Sequence, residues 1–225
     1  MTANRMWTRR EATRIFTAGG LALSGGAALL PMSFGPAFAQ AAGNVPMADL
    51  MAENALPDVW EGKADAPVTI IEYASMTCPH CAHFHAETFP VLKSKYIDTG
   101  KVRFALREFP FDPLAVAGFM LARCVGDKRD AMVELLFAQQ KNWAYSDKPL
   151  QGLATLVKQA GVSQDSFEAC LKDQKLYENV NAVRDRGSKV FGVDATPTFY
   201  INGKKVSGDM TPDDLDKQLE PLLKS

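Results

Sequence analysis

The 225-residue sequence carries 25 Lys and Arg against 26 Asp and Glu, and 47% of it is hydrophobic. That length allows one domain or a domain with a large insertion, with ample apolar material for a core. The absence of a basic excess argues against nucleic acid or anionic lipid as a partner.

The chain opens with a basic head of Arg5, Arg9, Arg10 and Arg14, an apolar stretch from Leu21 to Leu30, and the small-x-small site Ala37-Phe38-Ala39. This is the pattern of a secretory signal peptide over residues 1–39. Thr8-Arg9-Arg10 resembles a twin-arginine signal, so export by that route or by the general secretory route is expected. The alternative is an uncleaved membrane anchor, which Gly19, Gly20, Gly25, Gly26, Pro31 and Pro36 interrupt. Cleavage after Ala39 leaves 186 residues with a net charge of −4. Four cysteines in an exported chain fit an oxidising compartment.

Residues 40–67 read as a short leader with one helical turn around Asp49 to Asn54. Val68 to Tyr73 then reads as a buried strand leading to Ser75-Met76-Thr77-Cys78-Pro79-His80-Cys81. If a helix starts at Cys78, Pro79 takes the first helical position, where a missing N–H costs nothing. Cys78 then faces the free amides of the helix start, which favour a thiolate, and an imidazolium at His80 adds a second positive charge. Cys81, three residues on along the same face, is the more buried sulfur. Glu72, inside the apolar strand, either has a buried task or faces solvent on an edge.

Past Cys81 the helix carries Phe84, Thr88, Val91, Leu92 and Tyr96 on one face and a kink at Pro90, with His83 and His85 read as exposed. Cys78, Cys81, His83 and His85 also spell a zinc pattern, but successive positions of one helix close a tetrahedron poorly and no second ligand pair exists, so no metal is expected. Gly100 ends the helix, and Lys101 to Phe109 alternates Val102, Phe104 and Leu106 inward with Arg103 and Arg107 outward.

From 113 to 191 the pattern is helical: Leu114 to Val125, Lys128 to Asn142, Leu150 to Ala160, a short helix from Ser163 to Leu171, and Lys175 to Phe191. Cys124 and Cys170 lie in this block, either as buried free thiols or as a structural disulfide; pairing would add about 3–4 kcal/mol in the chain-entropy model. Residues 193–201 then enter a strand through Thr196-Pro197, and Asn202-Gly203 signals a hairpin before Lys204 to Ser207. Thr211-Pro212 caps a last helix whose Leu215, Leu219 and Leu222 face the sheet.

Cys78-Pro79-His80-Cys81, with Glu72 six residues before it and Thr196-Pro197 far downstream, resembles the DsbA family of periplasmic thiol:disulfide oxidoreductases in the thioredoxin superfamily. The resemblance implies a thioredoxin fold with an inserted all-helical domain. Residues 68–112 and 192–225 would be its two halves, 113–191 the insertion. It implies Cys78 and Cys81 as the redox pair, His80 and Glu72 as its supporting groups, and Thr196 with a cis Pro197 as the substrate-pairing site. A second, non-catalytic disulfide such as Cys124–Cys170 occurs in an alphaproteobacterial-type branch of the family. The implied partners are reduced, unfolded exported polypeptides and a DsbB-like, quinone-linked membrane reoxidant, with no organic cofactor and a monomeric state. A disulfide isomerase or reductase on the same fold is the nearest alternative. Isomerases related to this fold carry an added oligomerisation module, for which residues 40–67 are too few. A non-catalytic periplasmic binding or holdase protein is the remaining alternative.

Overall fold

The structure is a computed structural model and describes residues 44–224; the proposed signal peptide over 1–39 lies outside them. Five strands form one sheet in the order β1-β3-β2-β4-β5. At its centre β2 (Val68–Ala74) runs parallel to β3 (Val102–Glu108), from Val68 beside Val102 to Ala74 beside Glu108. β4 (Thr198–Ile201) pairs antiparallel on the other side of β2, and β5 (Lys204–Ser207) continues from it as the edge. Every residue of β2 is buried, as a strand covered on both faces requires. The exposed Lys204 at the start of β5 helps guard the open edge against pairing with another chain. At the β4–β5 turn Asn202 and Gly203 both have positive φ, 46° and 87°, as a tight hairpin demands.

A two-residue strand that periodicity could not reveal, β1 (Trp60–Glu61), borders β3, and the helical turn of the leader falls at α1 (Met47–Leu50) rather than around Asp49 to Asn54. α2 (Pro79–Glu87) follows β2 and, instead of kinking at Pro90, gives way to α3 (Phe89–Leu92) and a π-helical turn, Lys93–Ile97. Pro90 has no N–H to offer the Ala86 carbonyl, and the Thr88 hydroxyl at the break donates to the Met210 carbonyl at 2.6 Å.

Six helices lie between β3 and β4: α4 (Pro113–Cys124), α5 (Arg129–Ala138), α6 (Gln140–Trp143), α7 (Pro149–Gln159), α8 (Gln164–Leu171) and α9 (Gln174–Phe191). The helix expected over 128–142 is divided: a 3-10 turn, Gly126–Lys128, precedes it and Gln139 interrupts it, with both Gln140 and Trp143 buried in α6. Asp112, Ser163 and Asp173 cap α4, α8 and α9 through their side chains, and Gly192 closes α9 in the left-handed region. α9 lies so close to β2 that a Cβ on Gly187 would come within 2.7 Å of the Tyr73 ring. α10 (Pro212–Leu223), capped by Thr211, buries Leu215 and Leu219. Leu222, expected to pack with them, is exposed near the helix end.

The inward-outward reading of β3 fails at Arg107, which is buried and donates to Asp58, to the Tyr73 hydroxyl and to the Leu50 carbonyl. β3 has a neighbour on each side and cover on both faces, so neither face is a solvent face. Glu108 is likewise buried and holds Arg123 at 2.7 Å. The result is a thioredoxin fold carrying a helical insertion between its two halves.

Candidate active site

The site forms where the C-terminal end of β2 meets the start of α2. Cys78 is the N-cap, with extended φ and ψ of −78° and 121°, and Pro79 opens the helix. The Cys78 N–H donates to the Ser75 carbonyl at 3.0 Å, and its carbonyl accepts from Ala82 at 3.2 Å. Its sulfur is half-buried and lies 3.3 Å from the Thr196 carbonyl oxygen, across 118 residues of chain. The Thr196-Pro197 bond is cis, and the two residues approach the cysteine pair from the segment entering β4.

The two thiols are unequal. Cys78 is lowered to about 5, first by a hydrogen bond from the Cys81 thiol; partial burial works against this, and Thr196 and the backbone amides of Cys81 and His80 work with it. Cys81 is fully buried, and burial first, then its donation to Cys78 and the nearby Glu72 charge, push its thiol well above the ordinary range. The amides of the helix start thus contribute as expected, behind the neighbouring sulfur. The His80 side chain is exposed.

Glu72 sits at the middle of the sheet, beside Leu106 on one strand and Phe199 on the other, and is fully buried. The edge-strand alternative therefore does not hold. Burial raises its carboxyl, and His85 partly offsets that.

Three comparisons bear on this arrangement. A family model described as Thioredoxin matches residues 54–221. The chain is 36% identical over 148 residues to a putative protein-disulfide oxidoreductase of Rickettsia bellii (strain RML369-C), covering 65% of this chain and 57% of that protein. The crystal structure of Wolbachia pipientis alpha-DsbA1 superposes with a TM-score of 0.72 at 28% identity, covering 79% of this chain and 96% of that one.

The chain is a DsbA-like member of the thioredoxin family. It spans less than two thirds of the length of the rickettsial relatives it matches.

In this DsbA-like chain further residues, to which the sequence pattern assigned no part in the redox site, gather around the cysteine pair. His85, read from the sequence as exposed, is buried: Nε2 lies 2.9 Å from Glu72 Oε2 and Nδ1 2.8 Å from Glu134 Oε1, with its ring stacked on Phe137 at 4.4 Å. It follows Cys81 by four residues, so it lies on the same helix face, and that spacing was the signal available. His83 is exposed as expected, with Nδ1 2.6 Å from Asp209.

The insertion grips the loop before Cys78. The Gln140 amide donates to the carbonyls of Met76 and Cys78 at 2.8 and 2.9 Å. The Tyr145 hydroxyl donates to the Thr77 carbonyl at 2.6 Å, and the Thr77 hydroxyl donates to Asp112 at 2.6 Å. These residues lie 35 to 68 positions from their partners, beyond the reach of local pattern. Cys124 and Cys170 are joined, with a sulfur–sulfur distance of 2.08 Å, linking the end of α4 to α8.

Proposed function

We propose that the chain is a thiol:disulfide oxidoreductase that works as an oxidant, introducing disulfides into reduced, unfolded exported polypeptides in the periplasm. The observation that carries this reading is the inequality of the two thiols: Cys78 lowered to about 5 and Cys81 pushed well upward by burial. A pair whose reduced form holds a comfortable thiolate has a disulfide that is readily given away. Cys78 is also the sulfur nearer solvent, and the one a substrate thiol can reach.

In the proposed cycle a substrate thiolate attacks the Cys78 sulfur of the oxidised pair, the Cys78–Cys81 bond breaks, and Cys81 leaves as a thiolate that must take up a proton in its buried position. Glu72, whose carboxyl burial raises, supplies that proton. A second substrate thiolate attacks the substrate's own sulfur in the mixed disulfide and releases the Cys78 thiolate. Two electrons pass from the substrate thiols to the cysteine pair, and a DsbB-like, quinone-linked membrane partner takes them on. The Thr196 backbone pairs with an extended substrate segment beside Cys78, and the exposed rings of Phe111 and Tyr145 offer loosely selective apolar contact.

Equilibration of the pair with glutathione tests this reading. The expected potential is nearer the about −120 mV of DsbA than the about −270 mV of thioredoxin. A potential at the thioredoxin value or below overturns it. Refolding of a substrate with scrambled disulfides separates oxidase from isomerase: an oxidant leaves wrong pairings in place, whereas an isomerase corrects them.

A further inference from the structure

Glu72 does not end in the core. Its Oε2 meets His85, while its Oε1 is buried with no hydrogen-bond partner among the described residues, and its charge acts on the Cys81 thiol. His85 is 2% exposed and uses its other ring nitrogen on Glu134, whose side chain is 41% exposed. Three elements, β2, α2 and α5, thus contribute a carboxylate, an imidazole and a second carboxylate that run from the buried Glu72, whose charge acts on Cys81, to the partly exposed Glu134. A cleft of about 10 Å³, room for about one water, is lined by His85, Glu61, Arg129, Asp130 and Glu134.

We propose that His85 is the proton store behind Glu72, and that Glu134 fixes its Nδ1–H so that the proton on Nε2 is the mobile one. This rests on the oxidant reading above. When Cys81 leaves as a thiolate, the Nε2 proton of the imidazolium moves to Glu72 and a proton moves from Glu72 to the Cys81 sulfur, leaving a transient neutral imidazole. With both thiols free its pKa stands at about 9, so at neutral pH the imidazole takes a proton back from solvent at the cleft it lines with Glu134. On reoxidation the Cys81 proton leaves along the same line, so each half-cycle reverses the net proton movement of the other.

The charges around His85 suit that task. Glu72 on β2 and Glu134 on α5 hold its pKa up at about 9 against the cost of burial, so it carries a proton to donate at neutral pH. Of the other charged groups near this line, Glu61 is paired with Lys93, and Arg129 is committed to Asp130, Glu108 and the Leu106 carbonyl. The thiols of Cys78 and Cys81 complete the titratable set.

The test is the rate at which a small thiol forms a mixed disulfide with the oxidised, full-length protein, corrected for the attacking thiolate and followed by quenched flow from pH 6 to 10. For the unmodified protein the corrected rate should fall as pH rises through about 9, where His85 loses its proton. Glu134→Gln removes one of the two carboxylates that hold the proton on His85, so the fall should move at least about one pH unit lower, while Glu134→Asp should largely restore it. His85→Gln should lower the neutral-pH rate by about tenfold or more and abolish the inflection. Because Glu134 is partly exposed, its variants keep the test informative if the buried His85 variant does not fold. The Cys78 thiolate absorbance, titrated in the same proteins, should stay near pH 5. Superimposable rate profiles for the unmodified protein and Glu134→Gln overturn the relay. A low glutathione potential instead overturns the oxidant reading and leaves the rate profile as a separate result.

Discussion

Arg107 has 1% of its side chain exposed and reaches the Asp58 carboxylate through two nitrogens at 2.8 and 2.7 Å. A buried charge is tolerable only when nearly all its donors are used, and here the Tyr73 hydroxyl and the Leu50 carbonyl take two more of the five N–H groups. Arg107→Met should therefore cost about 3–5 kcal/mol, much of it from leaving the largely buried Asp58 carboxylate without its partner. Urea denaturation measures that loss, and replacing Asp58 with leucine as well should recover part of it. Glu72 has the opposite character: one of its oxygens is left without a hydrogen bond among the described residues, and the carboxyl is raised rather than held ionised. The sheet thus spends one buried charge on cohesion and keeps another available for protons.

At the scale of elements, the contact that matters most to the cysteine pair is the one between α6 and the loop before α2. Gln140→Ala would take the Gln140 donor from the Met76 carbonyl and leave the Cys78 carbonyl with only the Ala82 N–H, a cost of about 1–3 kcal/mol. Because the Cys78 carbonyl starts α2, the same change should move the Cys78 thiolate titration to higher pH. Urea midpoints and absorbance near 240 nm report the two effects separately. Much of this scale was legible in the sequence. Pro79 marks the start of α2, Asn202-Gly203 the hairpin, and Thr211-Pro212 the cap of α10, because each is a local backbone requirement written in residue type. What local pattern missed depends on distant neighbours. Arg107 turned out buried because β3 is covered on both faces, and β1 is two residues long and exists only by pairing with β3. Gln140 and Tyr145 carry no motif and reach the site only through the packing of the insertion.

For the whole molecule, the unequal thiols predict how stability depends on redox state and pH. Cys78 in the folded, reduced protein sits near 5, below the about 8.5 of a free thiol, so its contribution is fully present above about 8.5 and is lost as pH falls through about 5. Cys81 is raised, so its contribution is present below about 8.5 and fades above that. The oxidised pair has no thiol to titrate. The reduced protein should therefore exceed the oxidised one in stability most clearly between about pH 7 and 8.5, with the margin shrinking toward pH 5. Parallel urea titrations of the two forms at pH 5 and pH 8 check this, and a margin that does not change between them would contradict the origin assigned to the Cys78 shift.

The sulfur of Cys78 and the carbonyl of Thr196 meet across 118 residues, with the whole insertion between them in the chain. A ribosome delivers the first long before the second. Until β4 has been synthesised, the cysteine pair has no Thr196-Pro197 segment beside it and Glu72 has only one of its two flanking strands. The side of the site that faces a substrate is thus the last to be assembled, and the cysteine pair takes its full setting only when β4 joins β2.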